Sequence, residues 1–214
     1  MKRTAVAVSC ALFVLLLAAA CARPVPQTAR PSGTLAVAGF PNPAFTWELL
    51  AGYLPREGVK VDPLVIDKLN QSLTNALMTH GTTGYVSMGN TRQCEDIKNY
   101  ETEVSSRTTA LKYWVEVGRC TGADLLLVPQ LLYWKERQGK EMGVESPASV
   151  MLDIYLINVK EGRIAQRFHF EETQQDLTSN LLDIPKFFER KAKWITAGQL
   201  ADEGIETGLR TLGL

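Results

Sequence analysis

The chain has 214 residues, 45% of them hydrophobic, and 23 Lys plus Arg balance 23 Asp plus Glu. That balance argues against a broad nucleic-acid-binding surface, and the length suits one domain with a real core, at most preceded by a tether. Four cysteines without a recurring CxxC pair exclude a zinc ribbon.

Lys2 and Arg3 precede an apolar run from Ala5 to Ala20 broken only by Ser9, and small residues lead into Cys21. This is the layout of a secretory signal: a positive n-region, an h-region and a small-residue cleavage zone. The run is shorter than the roughly 20 residues that a spanning helix needs, and no later run is long enough. Ala18-Ala19-Ala20 fits an ordinary A-x-A site that releases a protein beginning at Cys21.

The second route is lipidation. Cys21, placed directly after the small residues, resembles the lipobox cysteine of bacterial lipoproteins, which takes a diacylglyceryl group before cleavage. The chain departs from that pattern in having Ala18 where Leu is usual, with Leu17 one step earlier. The resemblance implies acylation of Cys21, and Ala22 in place of Asp implies the outer membrane of a Gram-negative cell. Each buried methylene contributes about 0.8 kcal/mol, so two or more acyl chains hold a protein stably on a bilayer. The expected organisation is a signal over 1–20, a lipidated cysteine and tether over 21–33, and a periplasm-facing domain over 34–214. Losing residues 1–20 leaves 21 cations against 23 acids. Cys10 leaves with the signal, so Cys94 and Cys120 remain in an oxidising compartment. A disulfide between them and a pair of free thiols both stay open.

Residues 22–33, ARPVPQTARPSG, are rich in proline and small polar residues and read as an extended tether. TLAVAGF from Thr34 predicts a short strand closed by Pro41 and Pro43, followed by an irregular excursion over 44–60. Asp62-Pro63 is an N-cap with proline at the first helical position. Ile66, Leu69, Leu73 and Leu77 then give a helical stripe ending at Gly81. YVSM after Gly84 is a strand candidate, and TRQCEDIKNYETEVSSR reads as a polar region with Thr91 as a candidate cap. A second helix is expected over about 105–119, with Leu111, Val115 and Gly118 on one side and an end near Gly122.

ADLLLVPQLLYW, residues 123–134, predicts a buried or half-buried strand in which Pro129 implies a bulge or an edge. KERQGKEMGVESP reads as a mobile hairpin connection. Val150, Leu152, Ile154 and Leu156 alternate with Asp153 and Tyr155. After the turn Lys160-Glu161-Gly162, Ile164, Phe168 and Phe170 alternate with polar residues, completing an antiparallel meander of three strands. Thr196 caps a last helix carrying Leu200, Ile205, Leu209 and Leu212, weakened by Gly198, Gly204 and Gly208. The expected fold class is α/β (α+β), a central mixed sheet with an antiparallel C-terminal meander and flanking helices.

The order strand, capped helix, strand, helix running into GADLLLVPQL, then a meander is similar to the α/β domain of several Gram-negative periplasmic proteins. They are the curli-secretion channel lipoprotein, the lipoprotein activators of penicillin-binding proteins and the amino-terminal domain of the Tol translocation protein. Gly122, Ala123 and Asp124 followed by Leu125 to Val128 carry the likeness, which covers about Thr34 to Glu172. It is a fold-level resemblance and settles no function. The chain departs from the curli channel in lacking a long alternating stretch for barrel strands. SPASVMLDIYLINVKEGRI, FEETQQDLTSNLLDI and KWITAGQLADEGI are similar to segments of uncharacterised lipoproteins of anaerobic Gram-negative bacteria, and no activity comes with them.

For chemistry the chain offers two histidines. His80 is expected at a helix end, where it can bond the last carbonyls, and His169 on a strand facing solvent; neither has metal-ligand spacing. Glu171 and Glu172 with Asp153 could form an acid pair, against the plainer reading of a solvated sheet face neutralised by Lys160, Arg163 and Arg167. No G-x-S-x-G, P-loop or GxGxxG occurs. Phe187, Phe188 and Trp194 among Lys191 and Lys193 form a candidate surface for a partner or anionic headgroups, unless they complete the core. Trp134, Arg137 and the loop from Gly139 to Pro147 form either a binding lip or a plain hairpin. The expected function is a binding, assembly or scaffolding module of the envelope, not an enzyme, with no cofactor and no metal. Its partners are the membrane, through acyl chains, and another envelope protein or a second copy of itself. An export-channel or secretion-accessory lipoprotein and a periplasmic hydrolase using Asp153 and Glu171 are the alternatives.

Overall fold

A computed structural model describes residues 29–41, 49–52, 61–104, 109–141, 143–174, 190 and 193–214. In chain order the elements are β1 (Leu35–Val37), α1 (Pro63–Thr79), α2 (Met88–Val104), α3 (Ala110–Thr121), β2 (Leu125–Lys135), β3 (Gln138–Lys140), β4 (Gly143–Ser146), β5 (Ser149–Asn158), β6 (Arg163–Thr173) and α4 (Ala197–Leu212). The main sheet has the order β1-β2-β5-β6, parallel between β1 and β2 and antiparallel elsewhere, as the α+β reading expects. No helix among the described residues is long and apolar enough to cross a membrane.

Local chemistry explains the helix ends. Asp62 accepts from the Leu64 N–H at 2.9 Å with Pro63 inside the first turn. Thr196 and Gln199 form a reciprocal capping box at the start of α4. Gly122 closes α3 in the left-handed conformation, φ 72°. Ala123 is buried behind it, and Asp124 accepts from both the N–H and the hydroxyl of Thr34 at 2.8 Å. Those two bonds hold the Asp124 carboxyl below its ordinary range, the backbone donor having the larger effect. The Gly-Ala-Asp run therefore ends a helix, fills the core and clamps the entry of β1 to that of β2.

The region after Gly84 departs from the sequence reading. YVSM yields only an isolated bridge between Val86 and Ala36, because Met88 already opens α2. Residues 91–104 of the segment read as a polar region form the body of that helix. Ser87 starts it, accepting from the Asn90 N–H at 3.4 Å, while Thr91 is fully buried and donates its hydroxyl to the Ser87 carbonyl. The charged connection after Lys135 is the hairpin that its composition predicts, β3 pairing antiparallel with β4. Arg30, placed in the tether by composition, donates to the Gly81 carbonyl at 3.1 Å and to the Thr82 hydroxyl at 2.8 Å.

Pro129 sits in the interior of β2 opposite Ile154. Leu125 and Leu127 direct their backbone bonds at the β1 side, from the Leu125 N–H to Thr34 and to the Leu127 carbonyl from Ala38. By alternation Pro129 faces that side too, beyond the end of β1, so the missing N–H breaks no ladder bond. The irregularity in β2 lies two residues later, between Leu131 and Tyr133.

Helices cover both faces of the sheet. On one, α1 and α4 pack Leu69, Leu73, Leu77, Leu200, Ile205 and Leu209 against Leu127, Leu152, Ile154 and Leu156. On the other, α3 packs Tyr113, Trp114, Val115 and Val117 against Leu126, Val128, Tyr155 and Ile157. Two glycines that lower the helix propensity of α4 are contact points. A Cβ on Gly208 would lie 2.7 Å from Ile154 Cδ1 and from Phe168 Cδ1, and one on Gly204 would lie 2.8 Å from Phe170 Cδ1. Gly198 meets no such neighbour.

Gly208→Ala is therefore expected to lower stability by about 1–3 kcal/mol through overpacking, whereas Gly198→Ala raises it by up to about 1 kcal/mol through propensity. Urea midpoints of the two variants check this, and equal gains would remove the packing role.

Candidate functional site

The face of the sheet that carries α3 changes character along its length. Towards β1 it is apolar, but farther along it presents Gln130 from β2, Asp153 from β5, and Arg167, His169 and Glu171 from β6. The register places Gln130 opposite Asp153 and Asp153 opposite His169. Tyr155 stands beside them on the same face, opposite Arg167.

Asp153 is fully buried, a correction to the solvated face expected from alternation alone. Its Oδ2 accepts from the Tyr155 hydroxyl at 2.6 Å and from Arg167 Nη2 at 2.8 Å, and Oδ1 lies 2.7 Å from His169 Nδ1. The Arg167 guanidinium also stacks over the Tyr155 ring, 5.5 Å from its centroid. Gln130, buried as deeply, accepts from the Leu50 N–H at 2.9 Å. His169 is not simply a solvent-facing residue. One ring nitrogen is held by Asp153, and the other lies 3.7 Å from Glu171, with 38% of the side chain exposed.

A buried carboxylate is tolerated only when it is paired and hydrogen-bonded, and here a phenol, a guanidinium and an imidazole do that work. The sequence carried one signal of it, an acid in the middle of an otherwise apolar strand with two titratable residues in register on the next. Glu171 is 62% exposed. The open groove of about 650 Å³ beside β6 reaches His169 and Glu171 but not Asp153. Asp153 and Glu171 therefore do not face each other across a shared cleft. Glu172 points to the opposite face, where Arg190 Nη2 bonds it at 2.6 Å and reaches Glu203 on α4. Burial acts to lower the Arg190 pKa, but the hydrogen bonds it donates to Glu203 and Glu172, together with their charges, outweigh it and raise the value.

His80 closes α1 through its backbone N–H, bonded to the Ala76 carbonyl at 3.0 Å. Its imidazole points to α4 instead of capping carbonyls: Nε2 lies 2.8 Å from Glu206 Oε1, within ion-pair range but without hydrogen-bond alignment. Among the described residues no group of three or more His, Cys, Asp or Glu side chains could hold a metal ion.

Of the candidate partner surface, Phe187, Phe188 and Lys191 lie outside the described residues, as does Cys21. Trp194 is half-buried. Its backbone N–H donates to the Glu141 carbonyl at 2.9 Å, and its backbone carbonyl accepts from Arg137 Nη1 at 2.9 Å. Lys193 pairs with Glu141 at 2.9 Å. These contacts dock residues 193–194 on the β3–β4 hairpin, so Arg137 serves that junction.

Cys94 and Cys120 are joined, with a Cα–Cα distance of 5.7 Å, and the bond ties α2 to α3. Closing a loop of 26 residues constrains the unfolded chain by about 3 kcal/mol in the chain-entropy account. Beside this bond Glu95 is buried. Desolvation pushes its pKa from 4.5 up to about 7, Arg92 opposing and Asp96 adding slightly.

Removing the Asp153 carboxylate leaves donors unmatched, so Asp153→Ala is expected to cost about 2–4 kcal/mol, read as a lower urea midpoint with an unchanged slope. Glu95 gives a pH dependence whose sign follows from proton binding. The folded chain keeps a proton that the unfolded chain releases near 4.5, so stability falls as pH rises from there and the full penalty is present above about 7. Glu95→Gln should recover about 3 kcal/mol at pH 8 and flatten the profile between pH 5 and 7. An unchanged profile would show that Glu95 is solvated.

No family model matches the chain, and no curated protein matches it significantly in sequence. Similar solved structures include a PelC dodecamer from Paraburkholderia phytofirmans, at 15% identity and TM-score 0.46, covering 88% of this chain and 96% of that one. The LpoB C-terminal domain from Salmonella enterica follows at 14% identity and TM-score 0.39, covering 68% and 85%. Lipoprotein GNA1162 from Neisseria meningitidis is similar at 11% identity and TM-score 0.37, covering 75% and 99%. With these TM-scores below 0.5 they stand as similarities only, and the functional reading rests on this chain's own residues.

Proposed function

We propose that the chain is a lipid-anchored lipoprotein of the Gram-negative envelope, held to the outer membrane by Cys21 and facing the periplasm, where its domain binds or scaffolds another protein. The observation that carries this is the order of the N-terminal sequence: two cations, an apolar run, Ala18-Ala19-Ala20, then Cys21 and a proline-rich stretch. The disulfide between α2 and α3 is in keeping with an oxidising compartment. In this reading Asp153 fixes the strands that present Arg167, His169 and Glu171, and it turns over no substrate. Support comes from the three groups that already occupy its two oxygens.

The test is the intact mass and membrane fractionation of the full-length chain and of Cys21→Ser, expressed in a Gram-negative host. A wild-type mass of residues 21–214 plus acyl chains, membrane-bound and lost in the variant, is expected. An unmodified soluble product would overturn the anchor and restore the hydrolase reading.

A further inference from the structure

Among the described residues the main sheet has two unequal edges. The β1 edge is three residues long, and its outer side is already bonded to Val86, from the Val37 N–H at 3.1 Å and to the Leu35 carbonyl at 2.8 Å. The β6 edge is an eleven-residue strand without proline. Protein chains usually blunt such an edge, because its outward N–H and C=O groups form a template for pairing.

The direction of those groups follows from the ladder. Odd residues of β2 address β1, so even ones address β5. Hydrogen-bonded pairing then directs the odd residues of β5 at β2 and the even ones at β6. Ile154 faces Phe168, and Leu152 faces Phe170. The backbones of Phe168, Phe170 and Glu172 are thus used inward, and those of Arg167, His169, Glu171 and Thr173 point out of the sheet. The same four residues carry their side chains on the polar face.

We propose that β6 joins two copies of this chain edge to edge, antiparallel about a two-fold axis at His169. This goes beyond the binding-module reading by naming the partner as a second copy, and it does not depend on the anchor. The argument is register and charge. With His169 on the axis, Arg167 of each copy stands opposite the partner's Glu171, and Phe168 opposite the partner's Phe170. Shifting the pairing two places one way sets Arg167 against the partner's His169, and a further two sets it against the partner's Arg167. Shifting it the other way shortens the overlap. Cross-strand pairs of opposite charge favour a register, and like charges oppose one. The contact is isologous and closes on itself, and main-chain bonds supply its adhesion as in other strand additions. It would make one continuous sheet with the polar rows of both copies on one face.

The experiment uses the full chain in a Gram-negative envelope. Hydrogen-bonded antiparallel partners lie about 5.5 Å apart at Cα, within the span of about 4.4–6.8 Å that a disulfide bridges. His169→Cys should therefore give a reducible dimer band in non-reducing electrophoresis. Adding Glu171→Pro should abolish it, since proline there removes an outward N–H and leaves the β5 ladder whole. Because His169→Cys also removes a contact to Asp153, the mass of the purified chain is measured without it. Wild type and Glu171→Gln should be dimers and Glu171→Pro a monomer, all with the wild-type disulfide and unfolding slope. A monomeric wild type, or a dimer indifferent to Glu171→Pro, would overturn the interface. Fractionation of the same cells reports the anchor separately, so a membrane-bound monomer removes the interface alone and a soluble dimer removes the anchor alone.

Discussion

Strand β5 is paired on both sides and lies under α1 and α4 on one face and under α3 at one end of the other, so nearly all of its side chains must find an environment inside the structure. That constraint organises the rest. Its even residues meet α1 and α4, which must then bring their own apolar stripes to the same plane. Its odd residues meet α3 at one end only. Where α3 stops, the strand carries an acid, and the neighbouring strand answers with a guanidinium and an imidazole in register. Burial and charge are thus solved by one alternation of period two, which admits no slip without turning Asp153 into the apolar layer.

The same constraint explains the close approach of α4. A strand residue with a long aromatic side chain needs room above it, and Gly204 and Gly208 supply that room by bringing the helix backbone down on Phe170 and Phe168. Arg190 then bridges the strand and the helix through Glu172 and Glu203. The propensity lost at two helical positions is offset by ring packing beneath them, so α4 depends on the sheet for its stability more than on its own sequence.

Much of this was legible beforehand for a physical reason: caps and alternation are local. Asp62-Pro63, Thr196 and the Val150-to-Leu156 pattern each state their role within a few residues. Helix α2 was not legible, because its stripe is thin and its buried members among the described side chains are Thr91, Cys94 and Glu95, two of them polar, so periodicity in hydrophobicity had little to register. The Asp153 cluster was hidden differently. Alternation placed the acid on the right face, but whether that face is wet depends on which elements lie over it, and that is long-range information. Gly204 and Gly208 read as weaknesses because propensity scales do not see the ring above a missing Cβ. The surface around Phe187 and Phe188 remains a sequence expectation.

The clamp between Thr34 and Asp124 has a mechanical side. Any tension transmitted by the chain ahead of Thr34 enters the molecule at a point where two bonds to a carboxylate reinforce the start of the parallel β1–β2 pair. The load passes into β2 and from there across its long pairing with β5. Arg30, gripping the end of α1, is the first link to take up strain and the first that can let go. A domain pulled from its N-terminal side would yield by stages, shedding a side-chain contact before its sheet is disturbed.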